Sequence, residues 1–369
     1  MQKISVAVIY GGQSGEHPIS CATAGAVMAA MDPEKYQILS IGIRRDGAWV
    51  PGETDPARLQ LGDATVEVGP SDERIIIGPG DGTQSILARN VVTGEIRDLG
   101  AVDVVFPLLH GPFGEDGTIQ GLLEMARLPY VGSGVFASAA GMDKVYMKQV
   151  LSQAGLAIGP YVYVSPWRWA NEREVVLSEI SQLSFPLFVK PARAGSSLGM
   201  TKVTDLAQLD AAIATAAEVD PRVLVEQGIS GREVECGVLG GLGGTRASAS
   251  GVGEVILDVP EGEFYDFEHK YVATDVLTNQ IPADVSQTEL EDLRSVALRT
   301  FEAFSCEGLA RVDMFLLAGG EVVVNEINTM PGFTPFSMYP ALWQAEGMSY
   351  SQLVDHLISL ALERTVGLR

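Results

Sequence analysis

Twice in its first third the chain runs an apolar, strand-length segment into a glycine-rich turn and out again as a helix. Residues 4–10 lead into Gly11-Gly12-Gln13-Ser14-Gly15 and an alanine-rich helix over 20–31, and residues 102–108 lead through His110 and Gly111 into a helix over 117–126. A further strand is expected at 36–43. Continuous apolar strands that alternate with helices are covered on both faces, so the pattern predicts a mostly parallel sheet. In such a sheet the ligand groups gather at the carboxyl ends of the strands. The stretch 52–95 breaks the rhythm and reads as an insertion or a short antiparallel excursion.

From Gly141 the pattern changes. It predicts a helix carrying Met142, Asp143, Lys144 and Met147, a strand over 185–190 and a strand over 223–227. A polar loop over 261–280, a helix over 288–304, strands around Arg311 and Glu326, and a closing helix after Ser349 follow. A chain of 369 residues is long enough for two or three cores. Its formal net charge of −22 repels phosphate backbones and anionic lipid, so nucleic acid and membrane are excluded as partners. An anionic ligand would need basic groups gathered locally. Cys21, Cys236 and Cys306 are scattered without a CxxC pair and read as buried free thiols. The opening residues enter a strand at once, and no apolar run approaches a membrane span, so a soluble, cytoplasmic protein is expected.

Four segments carry chemistry. Residues 11–16 end in Glu16 and could cradle an anion with backbone N–H groups, but they lack the GxGxxG spacing of a dinucleotide site. His110-Gly111-Pro112-Phe113-Gly114-Glu115-Asp116-Gly117 stands where a strand should end at the ligand crevice. In the third, an apolar strand delivers Lys190, and a glycine- and serine-rich loop with Ser196 and Ser197 follows, an arrangement suited to a triphosphate although it is no P-loop. In the fourth, side-chain alternation puts Arg311 and Asp313 on one face of a strand and Glu326 and Asn328 on one face of the next. Those ligands are hard oxygens, which suit Mg²⁺ shared with phosphate and do not suit zinc.

Taken in order, residues 11–20, 110–117, 142–144, 190–199, 264–271, 311–313 and 326–332 resemble the D-alanine–D-alanine ligase family, of the ATP-grasp type. The resemblance runs from about residue 3 to the end. It implies an α/β fold with α+β parts: an N-terminal Rossmann-like parallel-sheet domain over 1–140, a central ATP-grasp subdomain over 141–240, and a C-terminal ATP-grasp subdomain over 241–369 with the metal site and a lid loop over 261–280. It further implies that Lys144 and Lys190 contact ATP phosphates, that Glu226 and Glu233 lie on the adenosine side, and that Lys270 comes from the lid. Asp313, Glu326 and Asn328 match the ligands of Mg²⁺ or Mn²⁺, with two ions per site. Glu16, His110, Ser196, Tyr271, Arg311, Gly332, Ser337 and Met338 match positions around two D-alanines. Where the family often has a second lysine after Glu226, this chain has Gln227. The implied activity is ATP-dependent ligation of two D-alanines through an acyl phosphate, for peptidoglycan precursors, by a homodimer. Tyr271 and the aromatic-rich stretch around it favour D-alanine over D-lactate as second substrate, and D-serine is a nearer rival. A glutathione-synthetase-like ligase should lack the first two motifs. A non-catalytic nucleotide-binding module could dispense with Arg311, Asp313, Glu326 and Asn328.

Overall fold

The computed structural model describes residues 3–60, 66–78, 84–257 and 277–365. Its first part contains β1 (Ile4–Gly11), α1 (His17–Ala30), β2 (Tyr36–Ile43), β3 (Trp49–Pro51), β4 (Glu73–Ile76), β5 (Ser85–Asn90), β6 (Ile96–Ala101), β7 (Val104–Pro107) and α2 (Thr118–Ala126). One sheet has the order β3-β2-β1-β7, with β1 parallel to both β2 and β7, as the strand–turn–helix pattern predicts. Both faces are covered. Val6, Val8 and Tyr10 pack with Ala24 and Val27 of α1 and with Leu353 and Leu357 of the last helix, while Ala7 and Ile9 pack with Ile119 and Leu123 of α2. The irregular stretch supplies a three-stranded antiparallel sheet, β4-β5-β6, whose Ile75, Ile86 and Ala88 join the second of these cores.

The second part contains α3 (Val135–Met142), α4 (Lys144–Gln153), β8 (Tyr161–Val164), α5 (Pro166–Asn171), α6 (Arg173–Ile180), β9 (Leu187–Pro191), β10 (Thr201–Val203), α7 (Leu209–Val219) and β11 (Val223–Gln227). The single helix expected from Gly141 is instead two. Asp143 is extended, and its side chain accepts the N–H groups of Val145 and Tyr146, so it caps a new helix just before Lys144. The sheet β10-β9-β11-β8 is antiparallel throughout. Val162, Leu187, Val189, Val223 and Val225 bury one of its faces against Ala212, Ile213 and Ala216 of α7. Pleating therefore turns Lys190 and Glu226 to the other face.

The third part contains β12 (Arg232–Leu239), β13 (Ser248–Leu257), β14 (Leu277–Gln280), α8 (Gln287–Ala303), β15 (Leu309–Leu316), β16 (Val322–Asn328), α9 (Met338–Ala345) and α10 (Tyr350–Glu363). Its antiparallel order is β14-β13-β12-β15-β16. β12, placed by sequence before the boundary at 240, hydrogen-bonds into this sheet along its whole length opposite β15. The end of the expected lid is likewise a strand, because Leu277–Gln280 pairs with β13. Val234, Cys236, Val312 and Met314 face Leu293, Ala297 and Phe301 of α8, together with Met147 and Leu151 of α4. A bulge interrupts β15–β16: Asp313 pairs with Glu326 but Met314 pairs with Val324, leaving Asn325 as an extra residue. Val322 and Val324 thus point with the core side, and Glu326 and Asn328 point to the opposite, polar side. All three cysteines are buried free thiols. No helix among the described residues is long and apolar enough to cross a membrane.

Candidate active site

The polar face of the third sheet meets the loops that leave β1, β7 and β9. Glu16 lies at the start of α1, and its carboxylate Oε1 accepts a 2.8 Å hydrogen bond from Ser196 Oγ, 180 residues away. Ser196 and Ser197 both hold positive φ, 52° and 58°, a left-handed conformation that side chains other than glycine's seldom adopt. Such local strain concentrates where a loop is shaped for a ligand. Ser14 Oγ donates to the His110 carbonyl at 2.7 Å, joining the first two glycine loops. His110 is buried, and burial pushes its imidazole below the usual range, against the pull of the Glu16 charge and a hydrogen bond to the Met330 backbone. Its Nε2 is a buried polar atom with no protein partner among the described residues.

Lys144 begins α4, and its ammonium donates to the Ala194 carbonyl at 2.6 Å, which ties the helix to the serine loop. Burial lowers its pKa, opposed by the charge of Glu326 and aided by that of Lys190. Lys190 donates to Glu226 Oε2 at 2.5 Å, and Lys148 lies 2.9 Å from the other oxygen, Oε1. Burial alone would raise the Glu226 carboxyl, but the two lysines overcome it and hold it at about 2. Burial likewise works against the Lys190 charge, and Glu226 more than restores it. Glu233 and Glu326 also act electrostatically on Lys190. Gln227 has a structural task, since its Oε1 accepts the Ser184 N–H at 2.9 Å.

On the third sheet Arg311 grips Asp313 through Nε–H to Oδ1 and Nη2–H to Oδ2, both at 2.7 Å. Asn328 Nδ2 donates to Asp313 Oδ2 at 2.9 Å. Glu235, from the neighbouring strand, stands 2.9 Å from Arg311 Nε. Burial disfavours the guanidinium charge, yet Asp313, Glu235 and Glu326 together raise its pKa further. Glu115 faces the same centre. Burial first, and then the Glu16 charge, raise its carboxyl to about 8, although Gly111 N–H donates to it at 2.6 Å. Gly332 approaches Ser337 closely: a Cβ there would lie 3.2 Å from Ser337 Oγ. Ser337 is the N-cap of α9, and the sulfur of Met338 is so close to Gly253 that any side chain there would collide with it.

Of the site residues expected from sequence, Glu16, His110, Lys144, Lys190, Ser196, Glu226, Glu233, Arg311, Asp313, Glu326 and Asn328 are linked by these bonds and fields, Gly332, Ser337 and Met338 follow β16 close to one another, and Lys270 and Tyr271 lie outside the described residues. Lys148, Glu115 and Glu235 were missed. Each left a signal: Lys148 is one helical turn beyond Lys144, Glu235 alternates with Glu233 on a strand, and Glu115 sits inside the second motif. Asp313, Glu326 and Asn328 suit a small, hard cation. Among the described residues no group of three His, Cys, Asp or Glu side chains could hold a metal ion.

Two family models match the chain, D-ala D-ala ligase N-terminus over residues 5–133 and D-ala D-ala ligase C-terminus over residues 150–359. A D-alanine–D-alanine ligase of Arthrobacter sp. (strain FB24) is 48% identical over 369 residues, covering 100% of this chain and 96% of the relative. That of Kineococcus radiotolerans is 50% identical, covering 100% and 99%. Among solved structures, the VanG D-Ala:D-Ser ligase from Enterococcus faecalis superposes with a TM-score of 0.82 at 35% identity, covering 98% of this chain and 100% of that one. The D-alanine-D-alanine ligase from Coxiella burnetii does so with 0.79 at 32%, covering 99% and 95%.

Proposed function

The chain belongs to the D-alanine–D-alanine ligase family, and from that premise we infer that it joins two D-alanines into D-alanyl-D-alanine, converting ATP to ADP and phosphate. The observation that carries the reading is the Ser196–Glu16 hydrogen bond. It joins the loop at the start of α1, which carries Glu16, to the serine loop that follows Lys190, and so brings an amino-acid contact beside the lysines that suit phosphate.

A carboxylate is a poor acyl donor, so the first D-alanine must take the γ-phosphoryl group to become an acyl phosphate. Lys144 and Lys190 hold phosphate oxygens, and Glu226 with Lys148 keeps Lys190 charged and in place. Glu226 and Glu233, both of which act electrostatically on Lys190, border the adenosine. Asp313, Glu326 and Asn328 would hold the divalent cations, two per site, which when bound neutralise charge on the phosphate oxygens. Glu16 and His110 position the first amino acid, and Ser337 and Met338 border the second. Its amine attacks the acyl phosphate, phosphate leaves, and Arg311 with the Gly332 N–H steadies the tetrahedral oxyanion. Lys270 and Tyr271, outside the described residues, complete the reading at the phosphates and in the Glu16–Ser196 proton network. The same reading has the enzyme act in the cytoplasm as a homodimer supplying peptidoglycan precursors. It retains three domains, the second boundary now at residues 228–231, ahead of β12.

The test is phosphate release from ATP with Mg²⁺ and D-alanine, L-alanine, D-alanine plus D-serine or D-alanine plus D-lactate, with product masses. Release with D-alanine alone and a dipeptide mass is the expected result. No release with any D-amino acid would refute it. D-serine belongs in the assay because a D-Ala:D-Ser ligase is among the structures this chain resembles.

A further inference from the structure

Asp313 has two tasks that conflict. Both of its oxygens are engaged by Arg311, and Oδ2 also takes the Asn328 amide. If Asp313 and Asn328 hold a divalent cation, as the ligase reading above requires, the cation and the guanidinium compete for the same carboxylate. Arg311 is largely buried, its side chain 15% exposed. Depriving a buried charge of its partner is strongly unfavourable. A second anion must therefore be in place before Asp313 can turn to a cation.

The sheet supplies one. Glu235 on β12 sits directly opposite Asp313 on β15 in the register, and Gly237 sits opposite Arg311. The Glu235 carboxylate stands 2.9 Å from Arg311 Nε. The hydrogen bond from that nitrogen runs to Asp313, and Glu235 waits at the same atom in ion-pair range. We propose that Glu235 is the positioning residue of Arg311, the carboxylate that anchors Nε when a divalent cation takes Asp313. With Nε held by Glu235, the two Nη groups are released toward the reacting groups. Cation binding and arginine positioning thereby become one event, passed across two adjacent strands.

The test rests on the ligase reading but reads binding rather than turnover. Mn²⁺ affinity is measured by calorimetry in the presence of adenylyl imidodiphosphate for the wild type, Glu235→Gln, Glu235→Asp and Glu254→Gln. Glu254 pairs with Arg232 and belongs to the opposite face of the same sheet, so its variant removes an equal charge without touching Arg311. Glu235→Gln should weaken Mn²⁺ binding about 10-fold or more, the usual consequence of losing a group that supports a metal ligand. Glu235→Asp should fall between it and the wild type, and Glu254→Gln should match the wild type. A Glu235→Gln protein with unchanged melting temperature and wild-type Mn²⁺ affinity would overturn the proposal. Should that variant not fold, wild-type affinity in Glu235→Asp would do so instead. Failure of the wild type to bind Mn²⁺ with the nucleotide analogue would count against the ligase reading itself.

Discussion

A buried carboxyl held neutral and a buried carboxyl held charged stand in one site, and each makes the molecule answer pH differently. The Glu115 carboxyl, raised from 4.5 to about 8, binds its proton more tightly when folded than when unfolded. Raising the pH from about 5 to about 8 therefore favours the unfolded chain through this group, and above that the effect levels off. Glu115→Gln should melt above the wild type at pH 8, with the gap shrinking toward pH 5 in melting-temperature scans. A gap independent of pH would show that the carboxyl is ionised in the fold. Glu226 runs the other way. Held at about 2, it contributes stability above 4.5 that is lost as the pH falls toward 2. Residue types and spacing sufficed to pick out Lys190, Asp313 and Asn328, because alternation on a strand is a local property. Glu235 and Lys148 escaped for the opposite reason. Their roles depend on which distant strand or lysine they meet, and that pairing is not written in any short window.

At the scale of elements, the bulge at Asn325 inserts one residue next to the pairing of Glu326 with Asp313. Deleting Asn325 should leave a regular ladder in which Glu326 still pairs with Asp313 and Asn328 with Arg311, so Mn²⁺ binding in calorimetry should stay within about threefold of the wild type. Asn325→Ser keeps the count and should bind within about threefold of the wild type, since second-layer changes of 10-fold or more need a lost contact to a ligand. Equal loss in both variants would mean that the Asn325 side chain supports the metal ligands, and loss on deletion alone that the bulge itself shapes the site. The parallel first sheet was legible because its strands are apolar on both faces. The break at Asp143 was not, since the apolar residues run on across it, and only the cap reveals two helices. The boundary expected at 240 put the residues of β12 with the central part, because no local pattern says which sheet a segment will join.

At the scale of the molecule, the last residues lock the parts together. Arg364 donates through Nη1 to the carbonyls of Tyr130 and Gly132, at 3.1 and 2.9 Å, and pairs through Nη2 with Glu307 at 2.7 Å. Its guanidinium also lies 3.8 Å above the Tyr130 ring. Arg364→Ala should lower the unfolding free energy by about 2–3 kcal/mol, the range of a charge-assisted hydrogen bond with its stacking contact. Arg364→Lys should recover only part of it, because an ammonium neither forks nor stacks as a guanidinium does. Urea titration measures both, and full recovery by lysine would reduce the contact to simple charge. The family resemblance reached this scale in the sequence, but the seam did not, since Tyr130 and Arg364 belong to no motif.

The seating of α10 against β7 and α1 has a consequence for how the protein is made. The first sheet is spelled out by residue 107, and of the two helices that cover one of its faces α1 is made before then while α10 does not begin until residue 350. At about 5–20 residues per second a ribosome takes roughly 12–50 s over the interval. Throughout it that apolar face has α1 against it but lacks the second helix, which has not yet been translated.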